Sequence, residues 1–190
     1  MRLLGPAVVV VLFLARCVEM SIRRGSVRRT AMYPGTLWGM LIGGTGVVTA
    51  SLAEFYLRPH PVGAAWIAVG TSIGLMSFLI RGWAAARLGP FWTMHIAIGE
   101  GQPLVREGPY SWVRHPVYLA AALELVGAMV VLKSWWGLAA FWALFAPAVS
   151  LRIVLEERAM IAHFGDTYRS YMTTTPALVR LRPPGRNRAP

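Results

Sequence analysis

Two short stretches hold side chains able to grip a small charged molecule. In VRHPVY (113–118), Arg114, His115 and Tyr118 surround Pro116; in RIVLEER (152–158), Arg152 precedes the adjacent carboxylates Glu156 and Glu157. Proline is favoured as the first residue of a helix, so Pro116 predicts a helix start with His115 near its cap. Such a terminus presents free N–H groups and positive potential. With Arg114 beside it and a protonatable His115, it is a site for a carboxylate or phosphate, and equally for a lipid phosphate acting as an anchor. Tyr118 lies three residues after His115, so both face one side of the first turn. Arg152 and Glu156 are four apart and expected to pair along a helix. Neighbouring glutamates point about 100° apart, so one can face the interior and the other water. A cation-rich helix start opposite a carboxylate pair suits a zwitterion that carries an ammonium and a carboxylate.

The elements that hold these groups are apolar. The 190 residues are 56% hydrophobic and 14% charged, with mean hydropathy +0.51. Soluble chains carry about 25% charged residues, so the composition points to an all-α, polytopic membrane protein. The formal charge is +11. All basic residues but Lys133 are arginine, in short blocks between apolar runs. That is the pattern of loops facing anionic headgroups, not of a nucleic-acid surface. The single cysteine, Cys17, excludes an intrachain disulfide and a cysteine zinc site, and no metal is expected. The N-terminal MRLLGPAVVVVLFLA has the look of a signal peptide, and LARC (14–17) that of a lipoprotein box. Arg16 directly before Cys17 spoils the box, and an uncleaved first span is expected.

A span needs about 17–25 mostly apolar residues. Five stretches qualify: 3–20, 34–53, 62–80, 117–132 and 135–155, the last with Pro147 inside, where a kink is expected. Spans four and five are separated only by Lys133 and Ser134, a tight helical hairpin. One set of loops holds Arg23, Arg24, Arg28, Arg29, Arg81, Arg87, Arg106, Arg114, Arg158, Arg169, Arg180, Arg182, Arg186 and Arg188. The other holds only Arg2, Arg58 and Lys133, a bias of 14 to 3. The positive-inside rule then predicts a multi-pass protein of the cell (inner) membrane, N-terminus outside and C-terminus cytoplasmic. Gly35, Gly39 and Gly43, then Gly70 and Gly74, form small-residue stripes that predict close packing within the chain rather than a dimer seam. A monomer or weak dimer is expected. Glu124, two turns inside span four, is expected to pair structurally with a neighbouring helix. The tail RLRPPGRNRAP reads as disordered.

The stretch 81–116 is too long for a simple turn, and long loops in compact proteins are often functional. Its aromatics, Trp83, Phe91, Trp92, Tyr110 and Trp112, alternate with Arg and Gly. Past span five, the helix is expected to run to Phe164 and stop at Gly165. The chain thus divides into a three-span region (1–80), a core of loop, hairpin and C-terminal helix (81–176) with a cytoplasmic pocket, and a tail (177–190).

LVREGPYSWVRHPVYLA (104–120), followed about 35 residues later by RIVLEERAMIAHFGDTYRSYMTTTP (152–176), resembles the isoprenylcysteine carboxyl methyltransferase family. The shared pattern is Gly-Pro-Tyr, Arg-His-Pro-x-Tyr, a hairpin, Arg-Ile-x-x-Glu-Glu, then Phe-Gly-x-x-Tyr-x-x-Tyr. It covers 81–176; Ala120 departs from the usual glycine. The resemblance implies binding of S-adenosylmethionine without a Rossmann fold, and no strand–glycine–helix unit is present. It implies that Gly108, Tyr110, Arg114, His115, Pro116 and Tyr118 contact the cofactor, with His95 along its pocket. Glu156 and Glu157 would hold its amino acid portion, and Arg152 and Glu156 would stand nearest the chemistry, Arg152 beside the acceptor. The acceptor would be lipophilic and drawn from the bilayer, most simply the carboxylate of an isoprenylcysteine-like compound. A carboxylate needs no base; a phenol, thiol or amine would use His115, Tyr118 or Glu157. The alternatives are a phospholipid N-methyltransferase, a membrane reductase of the sterol-reductase type using NADPH, and a non-enzymatic lipid-binding protein.

Overall fold

The computed structural model describes residues 3–22, 32–33, 35–99 and 101–179. Arg2, the 23–29 arginine block, Pro34 at the start of span two and the tail from Arg180 onward lie outside the described residues. Helix α1 runs Leu4–Ile22, α2 Gly35–Leu57, α3 Ala64–Leu88 and α4 Pro116–Leu132. A continuous helix α5 follows over Trp135–Phe164, and a short α6 over Asp166–Thr174. No strand occurs among the described residues; one isolated antiparallel bridge joins Met32 to Ile96. The all-helical expectation therefore holds. Among the described residues, three helices, α2, Ala64–Phe91 and α5, are long and apolar enough to cross a membrane, and α4 is a shorter apolar helix.

Successive helices run in alternating directions. His60 Nε2 lies 2.8 Å from the Leu132 carbonyl, which puts the α2–α3 loop beside the end of α4. The Met32–Ile96 bridge puts the α1–α2 connection beside the long loop at the other end. Glycine sets the closest contacts. A Cβ on Gly70 would stand 2.6 Å from the Gly127 carbonyl oxygen, and one on Gly127 2.7 Å from that of Gly70. Helices α3 and α4 thus touch backbone to backbone, as small residues allow. The stripes are used inside the chain, as expected, although Gly127 was not foreseen as a partner.

The α4–α5 turn is as tight as predicted. Lys133 adopts a left-handed conformation, and Ser134 caps α5 by accepting from the Gly137 N–H at 2.9 Å. The buried Glu54 carboxylate accepts from the Ser134 hydroxyl and the Trp136 N–H, both at 2.7 Å, and locks α2 to this turn. Beyond the turn the two arms separate. Helix α4 packs chiefly on α3, while α5 packs on α2. The disturbance expected at Pro147 is a π turn over Phe141–Phe145, just before the proline. Proline offers no N–H to the ladder; the Ala146 N–H bonds five residues back to Phe141, so the helix continues. Gly43 of α2 approaches this turn, with a virtual Cβ 3.0 Å from the Phe145 Cα.

Two expectations need correction. Helix α3 continues to Leu88, so the first eight residues of the stretch read as loop are helical. Arg81 is therefore not a loop cation. It is fully buried, bonded to Glu19 at 2.8 Å and to Glu124. Glu124 does pair structurally, as expected; its main partner is this arginine. Arg81 falls where an apolar run ends, which in sequence looks the same as a membrane edge.

Candidate functional site

The site forms where the start of α4 meets the last turns of α5. Pro116 is the first residue of α4 and His115 its cap, as the sequence predicts. Their backbone is held from outside the helix. The Arg114 N–H donates to the Pro176 carbonyl at 2.9 Å, and the His115 N–H to Ala177 at 3.0 Å. The C-terminal segment thus satisfies the free donor at the helix cap and the donor of the residue just before it. Gly165, with φ +58°, ends α5 and turns the chain into α6. Helix α6 brings Tyr168 and Tyr171 under the site, both buried. The Tyr171 hydroxyl donates to the Tyr110 carbonyl.

Two bonded sets face each other. In the first, Arg114 donates from Nε at 2.8 Å and Nη2 at 2.6 Å to one oxygen of Glu157. Its Nη1 donates to the carbonyls of Met172, at 3.2 Å, and Thr175. His115 Nε2 lies 3.1 Å from the same Glu157 oxygen. In the second, Arg152 Nε donates at 2.8 Å to the Tyr118 hydroxyl, which donates to Glu156. Arg152 is buried, and its other nitrogens reach the Thr36 hydroxyl, at 3.0 Å, and the Met94 carbonyl. The His115 and Tyr118 rings stack, 5.6 Å apart at 22°, and couple the two sets.

Two small clefts border this wall. One, about 90 Å3, lies under the 95–105 segment and α6. The other, about 80 Å3, lies toward α1 and α2. His95, Tyr110, Arg114, His115 and Glu156 line both, while Pro116, Tyr118 and Arg152 line the second. Gly108 lines neither. It begins a 3-10 turn with φ +60°, tucked against Arg87 and Trp83, and the same turn carries Tyr110. Glu157 also lines neither cleft, its carboxylate being taken by Arg114 and His115.

The geometry revises three sequence expectations. His115 and Glu157 do not stand apart as opposite ends of a clamp; they bond to each other. Arg152 and Glu156 are bridged through the Tyr118 hydroxyl rather than paired directly. Arg114 is engaged in holding the C-terminal segment. Burial raises the Tyr110 phenol above its ordinary range, with Glu156 and Tyr171 adding to the effect. Burial likewise raises Tyr168, with Glu157 adding to it. Tyr171 is pushed up to about 12 by burial, against the opposing pull of Arg114 and Arg106. All three stay neutral donors at ordinary pH. Sequence reasoning missed Thr36 and Met94, which fix Arg152, and Trp92, whose indole Nε1 is buried without a hydrogen-bond partner. Thr36 and Met94 carry no local signal, since they meet Arg152 only in three dimensions.

Residues 56–162 match the isoprenylcysteine carboxyl methyltransferase (ICMT) family. Among curated proteins, the chain is 29% identical over 109 residues to the uncharacterised protein YpbQ of Bacillus subtilis, covering 57% of this chain and 64% of that one. It is 31% identical over 80 residues to the protein-S-isoprenylcysteine O-methyltransferase of Schizosaccharomyces pombe, covering 42% and 34%. It is 32% identical over 121 residues to methanethiol S-methyltransferase 1 of Bradyrhizobium diazoefficiens, covering 63% and 40%. The chain thus spans less than two thirds of the length of each of these relatives. The family match takes in more than half of this chain, including α3, α4, nearly all of α5 and the loop between α3 and α4. The chain belongs to the isoprenylcysteine carboxyl methyltransferase family.

Proposed function

We propose that this protein is an integral-membrane methyltransferase that uses S-adenosylmethionine and acts on a lipophilic acceptor. The observation that carries the reading is the convergence, inside the family-matched region, of Glu156, Tyr118, His115 and Tyr110 on two clefts that share one wall. The residues fit the cofactor in kind. Glu156 is a partly exposed carboxylate able to take an ammonium. Trp92 offers a buried N–H without a partner. Tyr110 offers a neutral aromatic face. In size, each cleft falls short of the roughly 300 Å3 at the low end of ligand pockets.

When bound, S-adenosylmethionine would supply an electrophilic sulfonium methyl for transfer to the acceptor atom, with the demethylated thioether as the leaving group. The chain's own task is alignment, and orientation of two reactants can supply several kcal/mol. Glu156 takes the ammonium. Tyr118, held by Arg152, fixes the direction of that carboxylate. Arg114, His115 and Glu157 brace the start of α4 against α6. An anionic acceptor needs no base; a neutral thiol or phenol would give its proton to His115 or Glu156, which line the second cleft. The arginine bias supports a site at the cytoplasmic face of the cell membrane, with the N-terminus outside.

Calorimetry of the detergent-solubilised protein with S-adenosylmethionine, S-adenosylhomocysteine and NADPH tests the reading. Binding of the sulfonium or its demethylated product is expected. NADPH binding alone would move the protein to the reductase class. Radiolabelled methyl transfer to lipophilic acids, thiols and phenols then decides between O- and S-methylation.

A further inference from the structure

The carboxylate of Glu156 is aimed from Arg152, and the far side of Arg152 rests on a residue that borders neither cleft. Arg152 Nε donates to the Tyr118 hydroxyl at 2.8 Å, and Tyr118 donates to Glu156. Its Nη1 donates at 3.0 Å to the hydroxyl of Thr36, in the first turn of α2, and its Nη2 donates to the Met94 carbonyl. Thr36 is half-buried and lines neither of the two clefts. The family-matched stretch begins only at residue 56.

The direction of every bond in this chain is forced. A guanidinium has donors only and an ionised carboxylate acceptors only, whereas a hydroxyl carries one proton and two lone pairs. The Thr36 proton goes to the Tyr33 carbonyl, 2.8 Å away, which leaves a lone pair for Arg152. The Tyr118 oxygen accepts from Arg152, so its proton goes to Glu156. Turning either hydroxyl around would point a proton at the guanidinium. Bonds linked head to tail in this way polarise one another inside a protein, so an acceptor lost at Thr36 weakens the bond that reaches the carboxylate.

The turn that carries Thr36 is itself pinned. Tyr33 takes a φ of +52°, uncommon outside glycine, and its carbonyl accepts from the Thr36 N–H at 3.1 Å as well as from the hydroxyl. Such a conformation persists where its surroundings over-determine it. Beside it, the Met32 N–H donates at 2.8 Å to the Ile96 carbonyl. The stretch 94–96 is thus held at Met94 by Arg152 and at Ile96 by Met32. His95, which lines both clefts, lies between those two ties.

We propose that Thr36 is a positioning residue for methyl transfer: through Arg152 and Tyr118 it sets the direction in which Glu156 meets the cofactor ammonium. The proposal rests on the methyltransferase reading and extends its site to the start of α2, outside the family-matched stretch. Arg152, engaged at Nε, Nη1 and Nη2, carries the effect from one hydroxyl to the other.

The test is a double-mutant cycle on the full chain in detergent, read by calorimetric titration with S-adenosylhomocysteine, which keeps the ammonium. Thr36→Val removes the hydroxyl and keeps the shape. It should weaken binding roughly twofold to tenfold, the range for one net hydrogen bond. Thr36→Ser should restore the wild-type affinity. In Tyr118→Phe the relay is already cut, so adding Thr36→Val should weaken binding no further, whereas two side chains acting independently would add their losses. Ser72→Ala, which loses an exposed hydroxyl bonded to its own helix in α3, should bind as the wild type does. Melting temperatures taken alongside separate loss of fold from loss of affinity, and Thr36→Ala replaces Thr36→Val if the latter does not fold. Wild-type affinity in the folded variant, or additive losses in the double variant, overturns the assignment. Collapse of both Thr36→Val and Thr36→Ala would make Thr36 a purely structural residue and overturn it as well. Failure of the wild type itself to bind S-adenosylhomocysteine would sink the methyltransferase reading, and the role of Thr36 with it.

Discussion

Adjacent carboxylates show how little separates a ligand from a brace. Glu156 and Glu157 are indistinguishable in sequence, and the spacing argument allowed either to face the interior. In the structure Glu157 is spent on Arg114 and His115, while Glu156 borders both clefts. Their variants should separate accordingly. Glu157→Gln leaves Arg114 without its charge partner in a half-buried setting, and breaking such a pair costs up to about 3–5 kcal/mol. A fall in melting temperature is expected, with cofactor affinity changed only through folding. Glu156→Gln should keep the melting temperature and weaken S-adenosylhomocysteine roughly tenfold to a hundredfold, as for one lost charged hydrogen bond. The reverse pattern in thermal melts and titrations would exchange the two roles. The cluster of site residues was legible because Arg-His-Pro-x-Tyr marks a helix start and Glu-Glu a helix end. The bonding within it was not, because a fork such as Arg114 chooses its partners from whatever the fold delivers.

Helices were legible wherever a local rule set their ends. Pro116 opens α4 and Gly165 closes α5, each at the predicted residue. The end of α3 was missed, because Arg81 satisfies its charge inside the bundle and the helix has no reason to stop there. Pairing of helices is a still weaker signal. The hairpin turn was evident from two residues between apolar runs, yet α4 chose α3 over its sequence neighbour α5. Gly70 and Gly127 explain that choice, since only glycine lets the two backbones meet. Gly127→Val should therefore do more than create a local clash. Its Cβ would sit 2.7 Å from a backbone oxygen that has nowhere to move. Overpacking typically costs about 1–3 kcal/mol, and here the whole α3–α4 contact must open. The expected result is low yield of folded protein by size-exclusion chromatography, whereas Gly63→Ala, in open space, should behave as wild type.

Across the whole molecule, one end is closed and the other is built of long connections. The short turns at 58–63 and 133–134 lie together, tied by His60 and Glu54. The α3–α4 loop, α6 and the C-terminal segment occupy the opposite end. Removing Arg81 from the loop tally leaves the cation bias at 13 to 3, still strongly one-sided. A reporter fused after Lys133 should therefore read as external and one at the C-terminus as cytoplasmic. A cytoplasmic signal after Lys133 would invert the proposed orientation and take the site away from its cofactor.

The C-terminal strap also sets a clock on the birth of the protein. The N–H groups of Arg114 and His115 close onto Pro176 and Ala177, about 62 residues further along the chain. Ribosomes add about 5–20 residues each second, so roughly 3 to 12 seconds pass between the making of the helix threshold and of its clasp. During that interval the cap N–H of His115 stands open and Arg114 lacks Met172 and Thr175. A nascent chain stalled before Pro176 would hold every helix of the bundle and still lack a finished site.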